Sequence, residues 1–247
     1  MRESVGERTL LGVLTPSSNT VLEPLTSAIV ADLPDVTAHF ARFPVREISL
    51  RQEALGQFEA GPILDAARLL ADARVGSIVW SGTSAGWTGF AADEELCRAI
   101  TDATGGIPAG TSVLALNEVF RLTGVRRFGL VTPYLDEIQE RIVENYAKAG
   151  FRCVAERLLR DRGNFSFSEV GEGLIAEMVR AVAAERPDAI AVFCTNLRGA
   201  PVAEPLEAET GIPVYDTVAT AVWKGMRLAG ADPRRITGWG RLFREVG

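Results

Sequence analysis

The feature that most constrains the fold of this chain is an internal repeat. The Thr-Pro pair at residues 15–16 recurs at residues 132–133, 117 residues later, and the Gly-Ile-Pro run at residues 106–108 recurs at residues 211–213, 105 residues later. Landmarks that keep their order at a nearly constant offset indicate that a large unit is present twice. The period is much too long for a solenoid of small repeats, so we predict two similar domains.

Short apolar runs alternate with segments of helical spacing in both halves. Residues 189–193 read Ala-Ile-Ala-Val-Phe, which is typical of a strand buried on both faces of a parallel sheet. Residues 9–14, 75–80 and 127–131 are strand candidates of the same kind. Strands that alternate with helices predict parallel sheets, and hence an α/β fold with a cleft between the two domains.

The predicted domain boundaries follow the repeat. Residues 1–118 together with 223–247 are expected to form the first α/β domain, and residues 119–222 the second. No Pro/Ser-rich linker separates the halves, so we expect them to pack tightly. The last segment, residues 236–243, is expected to complete the sheet of the first half.

Polar residues follow the predicted strands, where ligands bind in open α/β sheets. The first half places Ser17, Asn19 and the Gly-Thr-Ser run at residues 82–84 there, and the second half places the Cys-Thr-Asn run at residues 194–196. Serine and asparagine before a helix are in the first place N-cap residues. Together with a helix start they also suit a carboxylate ligand. Gly82 and Cys194 occupy the same position of the repeat, 112 residues apart.

Composition and missing motifs exclude several classes of function. The net charge of −6 gives no reason to expect nucleic acid or a membrane surface as a partner. The N-terminus lacks a signal-peptide apolar run, and three cysteines leave one unpaired, so a cytoplasmic protein with free thiols is expected. Dinucleotide and Walker motifs and metal-ligand spacings are absent from the sequence, so no cofactor and no metal are expected. The single histidine, His39, does not favour a Ser-His-Asp triad.

The motifs resemble the aspartate/glutamate racemase superfamily, and within it the maleate isomerase and arylmalonate decarboxylase group. Residues 16–20 (Pro-Ser-Ser-Asn-Thr), 164–165 (Asn-Phe) and 194–198 (Cys-Thr-Asn-Leu-Arg) are similar to maleate isomerases. Residues 82–84 and 240–243 (Gly-Arg-Leu-Phe) are similar to arylmalonate decarboxylases. The resemblance covers essentially the whole chain and implies two duplicated Rossmann-like (flavodoxin-like) domains with the active site in the cleft between them.

The resemblance also implies a mechanism. The superfamily pattern has two cysteines, one from each domain, but the first position here is Gly82, as in the decarboxylases. Loss of CO2 from a substituted malonate leaves an enediolate, which needs only one acid, and Cys194 would be that acid. The remaining residues implied in the site would hold the carboxylate or the enediolate: Ser17, Asn19, Thr83, Ser84, Tyr134, Asn164, Thr195 and Asn196. Cys97 and Cys153 are interpreted as small apolar residues.

Two alternatives stay open from the sequence. Asn19 and Asn164 are carboxylate-binding positions in the isomerase pattern, so cis-trans isomerisation of maleate or an Asp/Glu-type racemisation of a dicarboxylate is one alternative. A non-catalytic carboxylate-binding protein is the other. The expected partner is in each case a small dicarboxylate, to which Arg46 in the loop at residues 43–48 would add a positive charge. A homo-oligomer is compatible with the sequence.

Overall fold

Two parallel four-stranded sheets organise the molecule. The computed structural model describes residues 8–45 and 60–247 of the 247 residues. The strands are β1 (Thr9–Pro16), β2 (Val36–Phe43), β3 (Ser77–Trp80), β4 (Ala109–Thr111), β5 (Arg127–Thr132), β6 (Arg152–Leu158), β7 (Ala189–Val192) and β8 (Val214–Asp216). Their orders are β2-β1-β3-β4 and β6-β5-β7-β8, and all pairs are parallel. The identical order confirms the predicted duplicated α/β fold.

Helices connect the strands and cover the sheets. In the described part of the chain they are α1 (Leu22–Ile29), α2 (Ala60–Asp72), α3 (Ala85–Thr88), α4 (Phe90–Ala103), α5 (Ser112–Leu122), α6 (Asp136–Lys148), α7 (Glu172–Ala183), α8 (Ala200–Thr210), α9 (Thr217–Leu228) and α10 (Arg241–Glu245). Short 3-10 helices span Ser166–Glu169 and Pro233–Arg235. Both β3 and β7 are buried along their whole length, as continuous apolar strands between helical layers should be.

Helices α5 and α9 each pack on the opposite half. The Phe120 ring of α5 packs against the rings of Phe128 and Phe151 of the second half, with ring centroids 5.5 and 5.4 Å apart. In the other direction, the Ser77 hydroxyl of β3 donates a hydrogen bond to the carbonyl of Gly225 in α9, at 2.9 Å. This exchange joins the two halves through one continuous apolar core. The domain boundaries at 118/119 and 222/223 would cut both helices, and they stay a prediction.

The C-terminal segment differs from expectation. The structure has no strand in residues 236–243, so the prediction that this segment completes the first sheet is wrong. Gly238 and Gly240 adopt positive φ angles of 82° and 92°, which interrupt an extended conformation. Helix α10 then packs near β8, where the Arg241 N–H donates to the Glu207 carboxylate at 2.7 Å. The end of the segment therefore packs against the second half.

None of the helices in residues 8–45 and 60–247 is long and apolar enough to cross a membrane.

Candidate active site

A narrow cavity of about 30 Å³ lies where the carboxyl ends of the strands from both halves meet. Its lining is Pro16, Asn19, Val45, Trp80, Gly82, Thr83, Ser84, Trp87, Tyr134, Asn164, Cys194, Thr195 and Asn196. The parallel sheets explain the location, because every strand of each sheet ends at the same edge and the edges of the two sheets face each other. Of the described residues that the sequence proposes for the site, all except Ser17 line this cavity.

Cys194 lines the cavity two residues after β7 and is 3% exposed. Burial raises the pKa of its thiol to about 12, although the Tyr134 side chain and the N–H groups of Asn196 and Leu197 oppose the shift. The Asn196 N–H points at the sulfur from 3.4 Å. The thiol is therefore protonated at neutral pH, while donors are already in place to stabilise the thiolate that remains once the proton has left.

Tyr134 connects the two halves of the site. Its hydroxyl lies 2.6 Å from the Thr83 hydroxyl and also contacts the Cys194 thiol. Burial raises the pKa of Tyr134 well above its usual value, so this phenol remains a hydrogen-bond donor. The Trp87 ring packs edge-on against the Tyr134 ring at 5.3 Å and fixes its position.

Asn19 has two structural tasks. Its Oδ1 accepts hydrogen bonds from the N–H groups of Val21 and Leu22, both at 2.9 Å, so it satisfies two free backbone donors in the turn at the start of α1. Its Nδ2 donates to Thr195 Oγ1 of the other half at 3.2 Å. A second contact across the cleft joins the Thr20 N–H to Asn196 Oδ1 at 3.1 Å. Capping and closure of the cleft thus depend on the same turn.

Asn164 enters the site from the loop before the 3-10 helix Ser166–Glu169. Its Nδ2 donates to the Ser18 hydroxyl at 2.7 Å, and its backbone carbonyl accepts from Asn196 Nδ2 at 2.6 Å. Asn164 is 8% exposed, so these bonds lie largely out of solvent. The contacts place an amide from the second half beside the turn that Asn19 occupies.

Ser17 lies outside the cavity and is exposed. Its hydroxyl accepts from the Val45 N–H at 3.1 Å and thereby holds the residue that forms part of the apolar wall. Arg42, which the sequence did not suggest, holds the same turn by donating to the carbonyls of Ser17 and Asn19 at 3.1 and 3.0 Å and pairing with Glu23 at 2.8 Å. No local motif signals this role, because the partners lie on different elements.

Apolar side chains form the remaining wall, and sequence reasoning missed the two largest. Trp80 ends β3, and Trp87 lies in α3, a four-residue helix that was not predicted. Val45, from the loop at residues 43–48, also lines the cavity. Arg46, expected to bind a second carboxylate, falls outside the described residues.

The described residues contain no group of three or more potential metal ligands, and none of those that line the cavity is Lys or Arg. Cys97 and Cys153 are half-buried and do not line the cavity. Burial raises the pKa of each thiol to about 12. The ring of His39 contacts the Thr37 hydroxyl at 3.0 Å on β2, away from the cavity.

Comparison with known proteins places the chain in a family. A family model described as arylmalonate decarboxylase matches residues 20–243. The chain belongs to the arylmalonate decarboxylase family. The arylmalonate decarboxylase of Bordetella bronchiseptica is 31% identical over 186 residues, which is 74% of this chain and 77% of that protein.

Relatives with a second activity are similar over more of the chain. The maleate isomerase of Nocardia farcinica is 26% identical over 244 residues, which is 95% of each protein. Solved structures show the same division. A glycine-to-cysteine, cysteine-to-serine variant of arylmalonate decarboxylase in liganded form has a TM-score of 0.83, at 26% identity over 96% of this chain and 99% of that chain. The Nocardia farcinica maleate cis-trans isomerase bound to TRIS has a TM-score of 0.86, at 25% identity over 96% and 98%. The relatives are thus enzymes of two kinds.

Proposed function

We propose that this protein is a cofactor-independent decarboxylase of a substituted malonate, in which Cys194 protonates an enediolate. Breaking the bond between the α-carbon and the leaving carboxylate releases CO2 and leaves its electron pair on the α-carbon and the remaining carboxylate. The enediolate then takes the thiol proton at the α-carbon, and the thiolate recovers a proton from solvent. Membership of the arylmalonate decarboxylase family supports this assignment.

Neutral donors would stabilise the developing charge. Thr83, Ser84 and Tyr134 line the same cavity as Cys194 and are available to the oxygens of the enediolate. Donors fixed at the place where charge develops are usually the largest contribution to catalysis. The apolar side chains of Val45, Trp80 and Trp87 are suited to neutral CO2 rather than to a carboxylate.

The observation that carries this proposal is that Cys194 is the one thiol among the described residues that line the cavity, while the equivalent position of the first half is Gly82. A thiol that attacks a double bond must act as thiolate, and its pKa is then normally lowered by a nearby cation or a helix N-terminus. Burial has the opposite effect on Cys194, whose pKa is about 12. A protonated thiol is suited to deliver a proton, and the equivalent position of the first half is Gly82, so only one face of the substrate would be protonated.

The test is turnover of phenylmalonate and alkylmalonates in D2O, followed by NMR. Decarboxylation through an enediolate predicts one deuterium at the α-carbon, and a 2-methyl-2-arylmalonate should give one enantiomer in excess. Release of CO2 together with a racemic product would contradict protonation by a single thiol.

The variant Cys194→Ala should lose turnover by about 100-fold or more while a non-reacting dicarboxylate still binds, because only the proton donor is removed. Cys153→Ala is the matched control, since that thiol is half-buried in β6, has a pKa that burial raises to about 12 like that of Cys194, and does not line the cavity. Calorimetric binding of the dicarboxylate and release of CO2, both measured on the two variants, test whether Cys194 is the proton donor. Full activity of Cys194→Ala would refute the mechanism.

A second candidate is cis-trans isomerisation of maleate. The amides of Asn19 and Asn164 favour it, since both line the cavity and could bind the two ends of a diacid. Under the same NMR conditions it predicts fumarate from maleate and no CO2. If both substrate classes bind and neither reacts, a carboxylate-binding protein is the remaining interpretation.

A further inference from the structure

Gly82 is required by space rather than by backbone conformation. Its φ angle is not positive, so the backbone itself would admit any residue. A Cβ atom at this position, however, would lie 2.0 Å from Cζ2 and 2.3 Å from Cε2 of the Trp80 ring. Both distances are far below van der Waals contact. The indole thus occupies the space in which the side chain of a first-half cysteine would begin.

The repeat shows what differs in the second half. Trp80 pairs with Leu14 and Thr111 in the first sheet, and Val192 has the equivalent register with Val131 and Asp216 in the second. Cys194 lies two residues after Val192, just as Gly82 lies two residues after Trp80. The small side chain of Val192 leaves room for a thiol two residues later, and the large ring of Trp80 does not.

Trp80 belongs to the lining of two cavities. It lines the narrow cavity at Cys194, and together with Ser84 it also lines a second cavity of about 280 Å³. Ile63, Leu96 and Asp93 are among the described residues that line this second cavity. Trp80 is 2% exposed and packs against Phe43 with ring centroids 4.9 Å apart, so its ring is held in place beside both cavities.

We propose that Trp80 is the specificity-determining residue of this site: its ring excludes a second thiol at residue 82 and limits the size of the substituent that fits beside Cys194. The exclusion of a side chain at residue 82 is independent of the reaction. The limit on substituent size rests on the proposed function, because it concerns the α-substituent of a malonate. Replacing Trp80 with valine, the residue at the equivalent position of the second half, should change both the tolerance for a side chain at residue 82 and the size of the substituent that the site accepts.

A double-mutant cycle on thermal stability tests the exclusion of a side chain at residue 82 without any substrate. Gly82→Ala adds only the Cβ atom and should lower the Tm by roughly 5 °C or more, as overpacking of a full core does. In the Trp80→Val background the same change should lower the Tm by less than about half as much. Gly173→Ala in α7 is the matched control, since a Cβ there meets nothing within 4 Å and should not lower the Tm. An equal cost of Gly82→Ala in both backgrounds would overturn the proposal.

Substrate size tests the limit on the substituent. The ratio of kcat/KM for naphthylmalonate to that for phenylmalonate should rise about 10-fold or more in Trp80→Val, because the narrow cavity then opens into the larger one. An unchanged ratio would refute the role in specificity. If the unmodified protein decarboxylates no malonate, the proposed function fails, while the stability cycle still decides whether Trp80 excludes a side chain at residue 82.

Discussion

At the scale of single residues, three side chains of the candidate site contact one another in a row. Thr83 contacts Tyr134, and Tyr134 contacts Cys194. If the thiol loses its proton, the buried hydroxyl of Tyr134 is therefore already in contact with the thiolate. The strand ends and the family resemblance predicted all three residues. The contact between them was not predictable, because Thr83 and Tyr134 lie 51 residues apart and meet only when the halves pack.

Tyr134→Phe removes this donor and keeps the ring. We expect kcat to fall by about 100-fold, the usual effect of losing one donor to a developing oxyanion, with little change in stability. Tyr146→Phe is the matched control, because the Tyr146 hydroxyl is also buried but has no hydrogen-bond partner among the described residues and does not line the cavity. Steady-state decarboxylation assays on both variants provide the measurement, and equal activities would contradict the role of Tyr134.

Asp93 should make stability depend on pH. Burial raises the pKa of its carboxyl to about 7, above the value of about 3.9 in an unfolded chain. The folded state therefore holds a proton that the unfolded state has lost, and the free energy of unfolding should fall as pH rises from about 4 to about 7, by up to about 4 kcal/mol. Urea unfolding at several pH values should show a flatter profile for Asp93→Asn.

Asp188 provides a control of opposite sign. Hydrogen bonds from the N–H groups of Arg127 and Arg126 lower the pKa of its carboxyl. Its contribution to stability is thus present above the unfolded pKa and lost as pH falls. Asp188→Asn should destabilise the protein at neutral pH and have less effect in acid. A profile for Asp93→Asn that matches the unmodified protein would exclude the assigned cause.

At the scale of elements, the sequence predicted the strands and most helices, since continuous apolar runs and helical spacing are local properties. It failed where local pattern and packing disagree. The apolar and aromatic residues in 236–243 resemble a strand, yet two glycines with positive φ interrupt it. Trp80 ends a predicted strand, but only the folded sheet shows that its ring turns toward Gly82.

The turn before α1 allows the stabilisation of the helix start and the proposed ligand binding by Asn19 to be tested separately. Asn19→Asp keeps an oxygen for the N–H groups of Val21 and Leu22 but loses the donor to Thr195. Asn19→Ala loses both functions and should be less stable by about 1 kcal/mol. We expect Asn19→Asp to retain stability while its KM rises, because a carboxylate would also repel a dicarboxylate ligand. Equal loss of stability in both variants, measured by urea unfolding, would argue against the cap.

At the scale of the whole molecule, the exchange of α5 and α9 couples the two halves. Lys224 of α9 pairs with Glu118 of α5 at 2.6 Å, and the Thr220 hydroxyl donates to the Ser112 carbonyl at 3.0 Å, so the exchanged helices also bind each other. The main apolar core includes residues of both sheets. Because the walls of the cleft share one core, the relative position of Cys194 and Thr83 is fixed.

Phe120→Ala tests this coupling. Phe120 is fully buried on α5 and packs on the second sheet, so its truncation should lower the free energy of unfolding by about 3–5 kcal/mol. Leu122→Ala is the matched control on the same helix, since Leu122 is 56% exposed. Hydrogen exchange followed by mass spectrometry should show β1–β4 and β5–β8 losing protection together in Phe120→Ala, because each sheet is covered by a helix from the other half. Loss of protection in the second sheet alone would mean that the halves unfold as separate domains, and that the geometry of the cleft does not depend on the exchanged helices.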